Sequence, residues 1–466
     1  MKNIFRVFIC LSVWLFSATA CNITDITPIP DLNNPTVESV LTNATSVQIN
    51  RLGIGVQSIM RNGYFDMSWI GGSIGRECIR FNKTDNRYYT ELLGKSAIDP
   101  AGIFIPWYLS FYSTRRRAEI LSLSANNSSA LSATDKSAAK GFAKTVQAWA
   151  MLNELNMMGE VGIRTTISDL LAPGDLLNPG GFVSYADGLT YVKQLCDDGA
   201  AALDGGGSAF PFPVASGFAG FNTPANFKKF NRAVAAKVAM YQKDWDGMLT
   251  ALNASYLNLT GSLTAGPLFT YSITSGDIQN QFYLPIDDAN NPIAVQKNFV
   301  LEAEAGDTRV TGPSVREGGT SKVRKRTASV TLGGLPASDY EFQGFKSNTS
   351  SISFLRNEEL ILMYAEAKIQ KSAFPDAVIA LDKVRGGAGL KSLATAKLTI
   401  IADQAKLIDE MLNQRRYSLY MEGANRWFDT RRYNRLATLP VDLPGLTIIT
   451  NFPKPQSEID WDGRPK

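Results

Sequence analysis

The sequence predicts a mainly α protein with a loop-rich second lobe. Apolar residues recur at three- and four-residue spacing over long stretches at both ends of the chain. Between them, 257–353 turns rich in Thr, Ser, Gly, Asp and Asn, with only short β-prone pieces. At 466 residues, 44% hydrophobic and 19% charged, the chain is long and apolar enough for a large core.

From the N-terminus, Lys2 and Arg6 precede the apolar run 7–16, and Ser17-Ala18-Thr19-Ala20 leads into Cys21. This pattern reads as a secretory leader over 1–20 whose cleavage exposes Cys21 for acylation, although Ala18 stands where leucine is usual. The lipidated tether spans 21–45, Pro/Asn/Thr-rich from Asn22 to Thr45. No later apolar run is long enough to span a bilayer. The folded unit runs from 46 to 466: a helical part over 46–256, an insert over 257–353, and a second helical region over 354–466.

Ser46 to Met60 supplies a first helix. Residues 61–100 set aromatics among Gly, Asn, Asp and Arg without sustained period, which reads as a functional loop with Gly71-Gly72 as a turn. Helices follow at 105–122, 133–158 and 185–203, the last stopped by Gly205-Gly206-Gly207. Residues 228–255 and 354–385 each read as a helix–turn–helix with small residues at the packing points, the form of a tetratricopeptide-like pair. No strict 34-residue period holds, so the array is a degenerate superhelix. In the insert, Phe282–Ile286 and Ser329–Leu332 are the hairpin candidates. The basic runs Arg115–Arg117 and Lys322–Arg326 read as solvated faces.

Near the C-terminus, 400–412 and Leu419 form an amphipathic helix that Glu422-Gly423 ends. Arg426, Trp427, Asp429, Arg431 and Arg432 then place dense guanidinium beside large aromatics, the composition of a buried ion-pair and stacking cluster. Glu422 and Asp429 are the local counter-charges, and Arg426 is expected to be paired in it. The stretch 413–436 resembles the C-terminal signature of the SusD/RagB family, E-R-R-x-E-L-x-x-E-G-x-R-W-x-D-L-R-R. Arg415, Arg416, Leu419, Glu422, Gly423, Arg426, Trp427, Asp429, Arg431 and Arg432 match it. Gln414 and Ser418 stand where that family usually has glutamates, and one extra residue separates Gly423 from Arg426. Further similarities follow in the family's order, among them Gly306-Asp307-Thr308-Arg309, Leu360–Ala367 and the tail Asn451–Ile459.

The resemblance implies a SusD-like fold and a non-catalytic, surface-exposed lipoprotein of the outer membrane. Such a protein binds an oligosaccharide or other nutrient and works with a SusC-like TonB-dependent outer-membrane transporter in glycan uptake. It implies no cofactor and no nucleic acid partner. The residues themselves leave two alternatives open, a secreted carboxylate-dependent glycoside hydrolase and an adhesin- or fimbria-like lipoprotein. The chain has no histidine, which removes the commonest general base and most zinc sites but leaves carboxylate pairs. Cys78 and Cys196 have no metal-ligand spacing and are either a disulfide or two buried thiols. The candidate ligand residues in 61–100 are Tyr64, Trp69, Arg80, Phe81, Tyr88 and Tyr89, a mixture of aromatic platforms and a directional donor. Asp277, Gln281 and Tyr283 of the 277–288 loop complete the set.

Overall fold

The computed structural model describes residues 37–166, 179–331, 334–335, 337–441 and 443–464. The leader, Cys21 and the tether as far as 36 lie outside them. The fold begins earlier than the composition implies: Val37–Asn43 is a helix (α1) that buries Val40 and Leu41. The Asn127 amide donates to the Leu41 carbonyl at 2.8 Å and fixes it to the body.

Helix α2 (Ser46–Ile59) starts at a Thr45–Gln48 capping box, which satisfies donors that would otherwise be orphaned. Helix α3 (Tyr64–Ile74) lies where the sequence reads as irregular. Every residue in it except Asp66 is buried, so no polar face marks the helical period. Gly71 and Gly72 belong to its interior and make no turn. A Cβ on Gly71 would lie 2.1 Å from the Ala424 Cβ, and one on Gly72 2.8 Å from the Cys78 sulfur. Only glycines let α3 approach the C-terminal segment this closely.

The helical body continues through α4 (Ile105–Asn127), α5 (Ala133–Met158), α6 (Tyr185–Asp204), α7 (Pro224–Gln242) and α8 (Trp245–Asn253). After the insert come α9 (Asn357–Gln370), α10 (Phe374–Gly387), α11 (Gln404–Ser418), α12 (Asn425–Arg432) and α13 (Gln456–Gly463). Successive helices from α4 to α8 pack on one another, as do α9 and α10. None of the described helices is long and apolar enough to cross a membrane.

The insert contributes to a four-stranded antiparallel sheet of β1 (Cys78–Arg80), β2 (Ile293–Val295), β3 (Val323–Val330) and β4 (Ser338–Phe342), in the order β1-β2-β4-β3. The register pairs Arg80 with Ile293 and Ala294 with Glu341. Phe282–Ile286 is not a strand. Pro285 has no N–H to give a ladder, and Phe282 instead packs edge-on to Phe65 with ring centroids 5.0 Å apart.

Two basic runs are less solvated than their composition suggests. Arg115 is 3% exposed and donates to the Arg164 carbonyl at 2.7 Å, while Arg116 and Arg117 are exposed. Arg326 is buried against Glu341. Cys78 and Cys196 are both buried free thiols, and burial pushes each up to about 12.

The C-terminal cluster is a buried ion network. The Arg415 Nε donates to Asp429 at 2.7 Å and the Arg432 Nε to the other Asp429 oxygen at 2.8 Å. Both terminal nitrogens of Arg432 reach Glu366, which also accepts from the Tyr433 hydroxyl at 2.7 Å. Burial raises the Asp429 carboxyl, but Arg415 and Arg432 outweigh it and hold the group below its usual range. Arg416 pairs with Glu77 at 2.9 Å and Glu302 at 2.6 Å. Arg431 lies 5.0 Å from the Trp427 ring centre. Arg426 is the exception to the expected pairing: it forms no ion pair among the described residues, and its buried Nε has no partner. Helix α11 ends at Ser418, and Met421 and Gly423 turn the chain with φ of 58° and 93°.

Candidate functional site

Helix α3 and strand β1 bring one arginine onto a group of rings. The Arg80 guanidinium carbon lies 4.7 Å from the Trp69 ring centre, 5.2 Å from Tyr88 and 5.3 Å from Phe65. Tyr88 comes from the one-turn helix Arg87–Thr90 and stacks on Trp69, centroids 4.8 Å apart and planes inclined by 13°. The Trp69 indole N–H donates to Asp66, one turn earlier, at 3.0 Å.

Arg80 is half-buried. Its Nε donates to the Asn291 side chain at 3.0 Å, and its terminal nitrogens make no hydrogen bond with the described residues. Burial pushes its guanidinium below the ordinary arginine value; arginine still stays protonated. Burial likewise raises the Asp66 carboxyl, opposed by the Trp69 hydrogen bond and by Arg80. A charged donor with unused directions beside a half-buried tyrosine face is equipped to hold a polar ring with an apolar side.

The adjoining 82–87 loop is fixed from within. The Asn82 side-chain oxygen accepts from the Thr84 N–H at 2.9 Å and the Asp85 N–H at 3.1 Å. Asp85 pairs with Arg87 at 2.7 Å.

Burial removes several sequence candidates as platforms. Tyr64 is 2% and Phe81 1% exposed. Tyr64 packs on Phe269 and Phe282, and Phe81 joins a small core with Ile79, Leu93 and Ala294. Phe81 follows Arg80 on the extended chain and so takes the opposite side. Trp69 is also 2% exposed and supports Tyr88 from beneath. Tyr89 is half-buried against the Phe81 core.

The 277–288 loop residues stand apart from this cluster. Asp277 pairs with Arg61 at 2.6 Å, on the wall of a separate groove of about 460 Å³. The hydrogen bond from Arg61 holds the Asp277 carboxyl below its usual range. Tyr283 lies under Arg316, 3.6 Å from its guanidinium carbon, and Gln281 is exposed. No described hydrogen bond, ion pair or ring contact joins these three to Arg80 or Tyr88. Asp66, Phe65 and Asn291 escape the sequence reading. A carboxyl three residues before a tryptophan on a helix is the one local signal for Asp66. Asn291 is brought in only by the β1–β2 register. Among the described residues no group of three or more Cys, Asp or Glu side chains is placed to hold a metal.

Residues 336–458 match the family model described as the SusD family. No curated protein matches the chain. Solved structures match its fold at low identity. A SusD superfamily protein from Bacteroides vulgatus is 14% identical, with a TM-score of 0.61 over 89% of this chain and 97% of its own. Surface glycan-binding protein A from Bacteroides thetaiotaomicron, in complex with laminarihexaose, is 13% identical, with a TM-score of 0.64 over 90% and 98%. NanU from B. fragilis is 13% identical, with a TM-score of 0.61 over 92% and 97%. Residues 336–458 thus carry a SusD family sequence, and the chain as a whole shares its fold with SusD superfamily proteins.

Proposed function

We propose that the protein is a non-catalytic receptor for an oligosaccharide, bound at Arg80 and Tyr88 on the support of Trp69. The observation that carries this reading is the Arg80 guanidinium, held over rings yet with its terminal nitrogens unspent. A sugar ring has an apolar C–H face for Tyr88 and hydroxyls for Arg80. The similarity to a glycan-binding protein solved with laminarihexaose supports the ligand class. The carboxyls of this region are engaged, Asp66 by the indole and Asp85 by Arg87. Neither is set up as half of a free acid–base pair.

In this reading the protein sits at the outer membrane, anchored through acylated Cys21, and passes its ligand to a SusC-like TonB-dependent transporter.

Calorimetry with laminarihexaose and a panel of other neutral oligosaccharides tests the site. At least one should bind, and Arg80→Ala and Tyr88→Ala should each weaken it by about tenfold or more. No new reducing ends should accumulate. A ligand held equally by wild type and both variants, but lost by Tyr283→Ala, would move the site to the second lobe.

A further inference from the structure

The C-terminal helix α13 is held to the body by charge. None of its residues from Gln456 to Gly463 is buried, and no other described helix packs along it. Glu458 accepts from the Arg164 Nε at 2.7 Å and from the Tyr108 hydroxyl at 2.8 Å. Asp462, one turn on, accepts from the Arg164 Nη2 at 2.7 Å and from Lys454 at 3.0 Å. The chain just before the helix is fixed: Phe452 stacks on Phe104 with centroids 4.7 Å apart, Pro455 is buried, and the Gln456 N–H donates to the Pro100 carbonyl at 3.0 Å. From 457 to 463, Glu458 and Asp462 carry the described hydrogen bonds and ion pairs that tie the helix to the body.

Arg164 has its own supports and keeps its place without α13. It lies in the two-residue strand Ile163–Arg164, paired with Phe182–Val183. Its N–H donates to the Tyr112 hydroxyl at 3.0 Å, and its carbonyl accepts from Arg115 at 2.7 Å. The Nη1 donates to the Gly180 carbonyl, and the guanidinium carbon lies 4.8 Å from the Phe182 ring centre. Departure of α13 therefore leaves a fixed guanidinium with Nε and Nη2 free. A helix of eight residues is marginal by itself in water. The Asp462 side chain is 43% exposed, and ion pairs so open to solvent add little.

We infer that α13 is a detachable latch over Arg164, and that its departure opens this arginine to an acidic segment of a partner protein carrying two carboxylates one helical turn apart. The latch is itself the mould of that partner. Glu458 and Asp462 are four residues apart and both end on Arg164, Asp460 adds a third carboxylate, and no cation stands between 456 and 463. A planar fork held in place by its own strand takes a second carboxylate pair at little cost in ordering. This inference does not rest on the function proposed for the Arg80 cluster.

The test compares the wild-type chain with a double variant, Glu458→Gln with Asp462→Asn, neither position being buried. Amide hydrogen exchange is read by mass spectrometry, and binding of a fluorescent peptide of residues 453–464 by anisotropy. In the double variant the amides of 457–463 should exchange at least about tenfold faster, with those of α5 unchanged. The peptide should bind the double variant at least about tenfold more tightly than wild type, whose own tethered helix competes for Arg164. Adding Arg164→Lys, which keeps the charge and loses the fork, should weaken that binding by about tenfold. Equal exchange of 457–463 in both proteins would overturn the latch. Faster exchange without capture of the peptide, or equal capture by both proteins, would overturn the acidic-partner site. So would equal capture of a peptide with Gln and Asn in place of Glu458 and Asp462.

Discussion

Arg432 and Arg80 are each 4.7 Å from an aromatic ring centre, Tyr433 for one and Trp69 for the other. They differ in how their hydrogen-bonding capacity is used. Arg432 gives Nε to Asp429 and both terminal nitrogens to Glu366. Among the described residues Arg80 gives only its Nε, to Asn291. An arginine on an aromatic face is thus not a functional signature by itself. Unspent donors count only where a ligand can reach them: Arg80 is half-buried, whereas Arg415, whose terminal nitrogens also lack a partner among the described residues, is fully buried in the ion network.

Breaking the ion network around Asp429 should have the largest effect. Asp429→Asn leaves Arg415 and Arg432 buried without their shared counter-charge and should cost about 3–5 kcal/mol in urea denaturation. A loss below about 1 kcal/mol would mean that water reaches the cluster.

Glu154 sharpens the comparison from the opposite direction. It is fully buried, neither carboxyl oxygen has a hydrogen-bond partner among the described residues, and burial, with Glu458 adding to it, pushes its carboxyl well above the usual range. A carboxyl raised on folding favours the folded state at acid pH and costs stability as pH climbs past the ordinary glutamate value. Glu154→Gln should therefore stabilise the protein at pH 7, on the order of 2 kcal/mol. The advantage should vanish near pH 4, where both states are protonated. An equal advantage at both pH values would show that the change is one of packing and not of charge.

Arg426 tests whether position in the signature or actual pairing matters. Having no ion pair among the described residues, Arg426→Ala should lose only stem packing, about 1 kcal/mol. A loss as large as that of Asp429→Asn would show that its electrostatic attraction to Glu77 and Asp429 matters without direct contact. The smallest stability effect belongs to Arg80→Ala, under about 1 kcal/mol, despite its expected loss of ligand. Large unfolding of that variant would make Arg80 a structural residue.

Helix α6, exposed on one side, is legible in the sequence because its period survives, and α5, buried nearly all round from Gly141 to Met158, is legible through its length and the three- and four-residue spacing of its large apolar side chains. Helix α3 is not, because it is only 11 residues long and its paired glycines imitate a turn. The arginine-rich signature was readable as a buried cluster, but its partners were not. Glu366 and Glu77 come from elements 66 and 339 residues away. The aromatic content of 61–100 points to the region that carries the proposed site, while the alternation that takes Arg80 to one side and Phe81 to the other depends on β1 being a strand. Composition cannot show that.

The contact of Gly71 with Ala424 has a consequence for binding thermodynamics. Trp69 stands two residues before Gly71 on a helix pressed directly against Ala424, so the platform under Tyr88 is tied to the segment that leads into α12. A ligand arriving there has little protein disorder to freeze out. Its affinity can then come from a few contacts, because little of their free energy is spent on ordering the receptor.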